Sequence, residues 1–199
     1  MLATARQSAI RYRDRARLPI DFDAGRLQAE VAEATGSGWI DHFVRQNFDG
    51  EWSVIPLRIG AGNWTKHPVL QIFPAPGVRE YEDGPLLARM PYLREAIAAI
   101  PCDIQTVRLM KLAAGSIIKP HTDDDLGIEH GFARLHVPVI TNDEVDFRLN
   151  GERVVMDAGS VWYLRLSDTH SVANRSATDR IHLVIDCVAN DWLRSAAAA

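Results

Sequence analysis

Two histidines and an aspartate carry the most chemistry in this sequence. In Lys119-Pro-His-Thr-Asp123 an imidazole and a carboxylate stand two residues apart. In extended chain, His121 and Asp123 project to the same side. His170 lies further on, in a polar stretch read as a loop after the strand-like run Val161–Leu166. His121, Asp123 and His170 together offer one ion two imidazoles and one carboxylate. That set leaves open positions on one face of an octahedral ion, as oxygen-activating non-haem Fe(II) chemistry requires. Asp124 and Asp125 follow at once, so the same residues also fit a solvated acidic loop.

Ten positions after His170 begins Arg180-Ile-His-Leu-Val-Ile-Asp186. Ile181, Leu183, Ile185 and Cys187 alternate with Arg180, His182, Val184 and Asp186, so one strand face is apolar and the other starts with an arginine. An arginine aimed into a barrel needs an anion, and a guanidinium grips carboxylate in a bidentate fork. A dicarboxylate co-substrate would serve; so would a structural acid such as Asp186. In Arg134-Leu-His136, the two polar side chains share a face opposite Leu135, Val137 and Val139. That face is solvent in an ordinary sheet and cavity in a barrel.

These residues must be positioned by the second half of the chain. From Ile104 to Val188 it is a series of β-prone runs separated by turn residues. The runs are Ile104–Leu112, Ser116–Pro120, Ala133–Ile140, Val145–Leu149, Arg153–Met156, Val161–Leu166 and Arg180–Val188. Asn150–Gly151 between two runs is a hairpin signal. Closely spaced short strands with few helices predict a mainly β sandwich or jelly-roll barrel. Ahead of it, a helix is predicted over 24–34 with Asp23 as cap and Leu27, Val31 and Ala34 on one face. A second is predicted over 91–99, opened by Pro91 and stopped by Pro101. Residues 50–85, rich in Trp, Pro and Gly, read as short strands and loops over the barrel mouth. Arg58, Trp64, Lys66, Arg108 and His130 are candidates there and nearby to meet an acidic or amino-acid-like substrate. The first twenty residues read as loosely ordered, and the Ala-rich tail as a frayed or short helix end.

The composition fits one globular domain over 1–199, with the barrel core at about 104–188. Apolar residues make up 47% and charged residues 24%, which excludes a disordered chain. The net charge of −4 with scattered arginines argues against a nucleic-acid partner. No apolar run has the length of a membrane span, and the N-terminus lacks the apolar core of a secretory signal. Cys102 and Cys187 each sit in or beside an apolar stretch and read as buried free thiols. A cytoplasmic enzyme is the expectation.

The segment Val107–Val188 resembles the aspartyl/asparaginyl β-hydroxylase family of 2-oxoglutarate oxygenases, which has bacterial relatives acting on free proline. Gly115 stands six before His121, as in the family's Pro-Gly-x5-His element, with Ala114 in place of the Pro. Arg134-x-His136, His170 and Arg180 match the family's next three landmarks. The resemblance implies a double-stranded β-helix (jelly-roll, cupin-like) fold with flanking N-terminal helices, and Fe(II) on His121, Asp123 and His170. It implies 2-oxoglutarate and O₂ as co-substrates, with the 2-oxoglutarate carboxylates on Arg180, Arg134 and His136. The products would be a hydroxylated substrate, succinate and CO₂. The vertebrate member has Ser where this chain has Met110, and Gly where it has Asp123. The intact carboxylate places this chain nearer the bacterial branch and argues against a halogenase. The chain is short for a proline hydroxylase with an added C-terminal helical domain, so an Asp/Asn-type substrate, in a peptide or as a free amino acid, is the first expectation. Hydroxylation of free proline or another small amino acid is the second. A non-catalytic jelly-roll module holding a metal or small acid is the third, and a cupin isomerase with another divalent metal the fourth.

Overall fold

The computed structural model describes residues 12–34, 36, 38–72 and 77–198. Strand β1 (Arg15–Asp21) leads into helix α1 (Ala24–Ala34), then strands β2 (Ile40–Asp41), β3 (Phe48–Asp49) and β4 (Trp52–Gly60). Helix α2 (Pro68–Gln71), strand β5 (Tyr81–Asp83) and helix α3 (Pro91–Ala98) follow. The remaining strands are β6 (Asp103–Leu112), β7 (Ile117–His121), β8 (Phe132–Ile140), β9 (Val145–Leu149), β10 (Glu152–Arg153), β11 (Ser160–Leu164), β12 (His170–Asn174) and β13 (Arg180–Val188). Helix α4 (Asp191–Ala196) comes last.

The strands form two antiparallel sheets, the walls of a double-stranded β-helix. The major sheet runs β1-β11-β8-β13-β6-β4-β2, with β5 also on β4, and the minor sheet runs β10-β9-β12-β7-β3. The major sheet is buried on both faces, and the strand pleat assigns alternate residues to each. Leu135, Val137, Leu183 and Ile185 point outward into one apolar cluster with Leu27 and Val31 of α1 and Leu93 and Ile97 of α3. Met110, Leu112 and Val184 point inward and pack with Phe147, Leu149 and Val172 of the minor sheet. The polar residues on the even-numbered positions of β13 and β8 therefore face the barrel interior, not solvent.

The two predicted helices form and dock on each other. Asp23 caps α1 by accepting from the Arg26 N–H at 3.0 Å. The Glu30 carboxylate of α1 accepts from the Tyr92 and Leu93 N–H groups of α3, at 2.7 and 2.8 Å. It thereby satisfies donors that the start of α3 leaves open, at the helix end that favours negative charge. The Asn150–Gly151 hairpin has positive φ at both residues, +52 and +80, as a type I′ turn requires.

Four readings of the sequence are corrected. His170 is not in a loop: it opens β12, held between β7 and β9. Residues 15–21 are not loosely ordered: they form β1, paired with β11. Pro19 is tolerated there because β1 is the edge of the sheet. Residues 52–60 form one long strand, β4, in which Pro56 sits at a register shift against β6. The run 153–156 is strand only as far as Arg153. Residues 1–11, Pro74, Pro76 and the side chain of Ala34 lie outside the described residues.

Gly159 marks a place where backbone meets backbone. Its φ is +83, and an added Cβ would stand 2.2 Å from the Phe22 carbonyl oxygen. Gly159→Ala is expected to destabilise the protein by more than about 1 kcal/mol, measured as a lowered midpoint in urea.

Candidate metal centre and its cavity

His121 and His170 meet because β12 lies antiparallel to β7 with His170 directly opposite His121. Asp123 lies just past the end of β7, its N–H bonded to the Leu166 carbonyl at 2.8 Å. One ligand atom from each of His121, Asp123 and His170 lies within 4.8 Å of the others. His121 Nδ1 is 2.8 Å from the Lys119 carbonyl, and His170 Nδ1 is 3.1 Å from the Asp168 carbonyl. A carbonyl only accepts, so each Nδ1 carries its proton and each Nε2 presents a lone pair. Burial first, then the nearby His121, pushes the His170 pKa down to about 4, which keeps it a neutral ligand at ordinary pH. The donor set therefore fits a divalent first-row metal, with the tautomers fixed in advance.

The centre opens into a cavity of about 640 Å³ lined by both sheets. Its wall on the β13 side holds two different arrangements of charge. Near the metal ligands, Asp186 accepts from Arg108 Nη2 at 2.6 Å, Arg134 Nε at 2.7 Å and Thr106 Oγ1 at 2.9 Å. Arg134 Nη1 also donates to Asp123 Oδ2 at 2.6 Å, leaving Oδ1 on the side of His121. Burial alone would favour a neutral Asp186, but Arg108 and Arg134 outweigh it and hold the carboxyl well below the usual range. Burial likewise opposes the Arg134 charge, and Asp186 with Asp123 raises its pKa nonetheless.

Further in, at the start of β13, Arg180 is only 3% exposed and makes no ion pair among the described residues. Its Nη2 meets His182 Nδ1 at 2.8 Å, and its Nε has no partner. Burial lowers its pKa to about 9, so it is still charged at neutral pH. His136, on the adjacent strand, also faces the cavity, and its Nε2 is buried without a partner. Burial and then the Arg180 charge hold both His136 and His182 far below the ordinary histidine pKa.

All six residues singled out by pattern thus gather on this cavity. Of the five looser candidates, Arg108 alone lines it. Arg58 pairs with Asp83 at 2.7 Å beside a separate groove. Trp64 packs against Gly84, and Lys66 and His130 are exposed. Sequence reasoning passed over Thr106, the central role of Asp186 and the His182 contact. The even-numbered alternation of β13 was the signal for Asp186 and His182; Thr106 lies on β6. His42 was also passed over: it lines the cavity and stacks on Trp52 with ring centroids 3.6 Å apart.

Two predictions follow from these charges. Asp186→Asn leaves the buried Arg108 without its carboxylate and Arg134 with Asp123 alone, and is expected to cost about 3 kcal/mol or more, read by chemical denaturation. His42 and His170 both have pKa values pushed down to about 4 from 6.5, burial being the first cause in each. Between those values the unfolded chain binds more protons than the folded one, so stability falls as pH falls through that window. The thermal midpoint of the metal-free protein should drop steadily from about pH 6.5 to about pH 4; a flat profile across that range would contradict buried neutral histidines.

Known proteins are similar to this chain to different extents. The family model for aspartyl/asparaginyl beta-hydroxylase matches residues 26–190. The chain is 29% identical over 174 residues to the L-proline cis-4-hydroxylase of Rhizobium meliloti (strain 1021), covering 84% of this chain and 58% of that protein. It thus spans less than two thirds of that relative's length. It superposes on an oxidoreductase of the 2OG-Fe(II) oxygenase family from Burkholderia pseudomallei with a TM-score of 0.56, at 14% identity, over 89% of this chain and 86% of the other. With HygX from Streptomyces hygroscopicus, solved with nickel and 2-oxoglutarate bound, the TM-score is 0.55 at 11% identity, over 90% of this chain and 84% of the other. At these identities the structural likenesses bear on the fold, and they agree with the jelly-roll barrel.

Proposed function

The chain belongs to the aspartyl/asparaginyl beta-hydroxylase family, and from that premise we propose that it is an Fe(II)- and 2-oxoglutarate-dependent hydroxylase of a small amino acid. The observation that carries the proposal is Arg180, a charged guanidinium buried against a cavity with no counter-anion among the described residues. An isolated charge in such a place costs several kcal/mol, so the site is built to receive an anion. A dicarboxylate reaching from the metal ligands to Arg180 matches it. The solved likeness with 2-oxoglutarate bound supports the same choice.

In this reading His121, Asp123 and His170 hold the iron. Bound there, Fe(II) with 2-oxoglutarate and O₂ supplies the oxidation that inserts one oxygen atom into a C–H bond, leaving succinate and CO₂. The protein's own residues bind, orient and exclude water. Arg180 takes the far carboxylate of the co-substrate in its fork. His136 and Arg134 complete that pocket. Arg134 has spent three of its five N–H groups on Asp186 and Asp123, so one hydrogen on each Nη is left for a carboxylate. Its bond to Asp123 Oδ2 also orients the metal carboxylate. Met110, Leu166 and Val172 line the cavity with apolar surface and keep water from the reacting centre.

The charge of the lining bears on the substrate. Arg108, Arg134 and Arg180 face Asp123 and Asp186, while Asp124 and Asp125 are exposed. Asp124 and Asp125 also line the cavity, at its exposed part; in the buried part a divalent ion and a dicarboxylate would cancel and leave one positive charge, which suits a substrate carboxylate. Similarity to an L-proline cis-4-hydroxylase favours free proline or another small amino acid over an Asp or Asn residue in a peptide. Cytoplasmic residence is proposed with it, supported by the two free cysteines Cys102 and Cys187. Among the described residues no helix is long and apolar enough to cross a membrane.

The test is anaerobic addition of Fe(II) and 2-oxoglutarate with a visible spectrum recorded. A weak charge-transfer band should appear only with both present, vanish in His121→Ala and weaken in Arg180→Ala. Succinate release should then be stimulated by free L-proline or a related amino acid more than by peptides containing Asp or Asn. No band in protein that demonstrably holds iron would sink the oxygenase reading. A band with no turnover across that panel would favour a binding module.

A further inference from the structure

Arg180 is fixed by a single side chain, and that side chain stands outside the main cavity. Across from Arg180 and His182, β6 presents Leu112 and Met110, and β8 presents Pro138 opposite His182. None of these offers a strong side-chain acceptor. His182 Nδ1, at 2.8 Å from Arg180 Nη2, is the one side-chain acceptor Arg180 has among the described residues. His182 itself borders a second, smaller cavity of about 210 Å³, whereas Arg180 and His136 line the main one. It therefore sits behind the arginine rather than beside any ligand.

The geometry also fixes protons. A guanidinium only donates, so His182 Nδ1 must present a lone pair, and the neutral ring carries its proton on Nε2. That same Nδ1 lies 3.3 Å from His136 Nδ1. Two facing lone pairs would repel, so the His136 proton belongs on Nδ1, where it shares the single His182 lone pair with Arg180 in the longer arm of a three-centre contact. Both rings are 5% exposed or less, which leaves solvent no part in the choice.

We infer that His182 is the positioning residue of the anion site: its Nδ1 lone pair anchors the Arg180 guanidinium and sets the tautomer of His136. The inference rests on the reading of Arg180 as the clamp for the co-substrate's far carboxylate. An arginine has many rotamers, and a site that binds by a bidentate fork loses affinity when the fork can swing away. His182 takes one Nη2 hydrogen, so the second Nη2 hydrogen, with the neighbouring N–H of Nε or Nη1, stays available for a carboxylate fork.

Calorimetric titration of 2-oxoglutarate into Fe(II)-loaded protein without oxygen tests this, with iron affinity measured alongside. His182→Leu should weaken 2-oxoglutarate binding by about 10–100-fold, the range found when a ligand's supporting partner is lost, and leave iron affinity within about twofold. His182→Asn places an amide oxygen near the former Nδ1 and should recover most of the loss. Equal affinity in wild type and His182→Leu overturns the inference while Arg180 keeps its role; so does an equal loss in the Asn variant, which would mark packing alone. No 2-oxoglutarate binding by the wild type defeats the Arg180 reading and this inference together. Nitrogen-15 spectra of the histidine rings, taken without ligand, give a second measurement should the Leu variant fail to fold. They should show protons on His182 Nε2 and His136 Nδ1; the reverse assignment overturns the inference.

Discussion

The Asp186 carboxylate, buried between Arg108 and Arg134, is the interaction on which the site depends. A barrel whose inner wall carries three arginines would not close around unpaired charge. Asp186 pairs with two of them at bonding distance, and Asp123, reached through Arg134, supplies the second negative charge that matches them. Strands β6, β13 and β8 are thus joined across their inner faces to the segment that bears Asp123, a candidate metal ligand. The order of the metal centre follows from that network as much as from the ligands themselves.

The same wall divides along the strand. At one end charges are matched within the protein; at the other, Arg180 is left without an anion. The apolar residues between them, such as Val184, belong to the inner core. The cavity therefore has one end lined by His121, Asp123 and His170 and a cationic end at Arg180, a polarity that under the proposed function suits a keto acid with a carboxylate at its far terminus. An unmatched buried charge carries an electrostatic cost, which a bound carboxylate would relieve.

Support for the metal centre comes from the backbone. The Lys119 and Asp168 carbonyls each take the Nδ1 proton of a ligand histidine. Each carbonyl lies two residues before its histidine, one on β7 and the other in the turn before β12. The turn after His121 is tied in turn to the segment before His170 by the Asp123–Leu166 and Ser167–Leu126 backbone bonds. Ligand orientation is thereby local, while ligand convergence is not.

Much was legible in the sequence because it depends on near neighbours. The pleat of β13 follows from Ile181, Leu183, Ile185 and Cys187, the His121–Asp123 pair from two-residue spacing, and the hairpin from Asn150–Gly151. Helices α1 and α3 follow from Asp23, Pro91 and their apolar stripes. What pattern did not reach was partner choice. His170-Ser-Val-Ala-Asn holds one strongly apolar residue, and it becomes a strand because β7 and β9 flank it and leave its backbone no other hydrogen-bond partners. Arg15–Asp21 is a strand for the same reason, along β11. Nor does any spacing say that Asp186 pairs with Arg108 and Arg134 rather than with Arg180. Residues two apart on one strand tell which way side chains point; which of them are left unpaired is decided only when other strands bring their charges to the same wall.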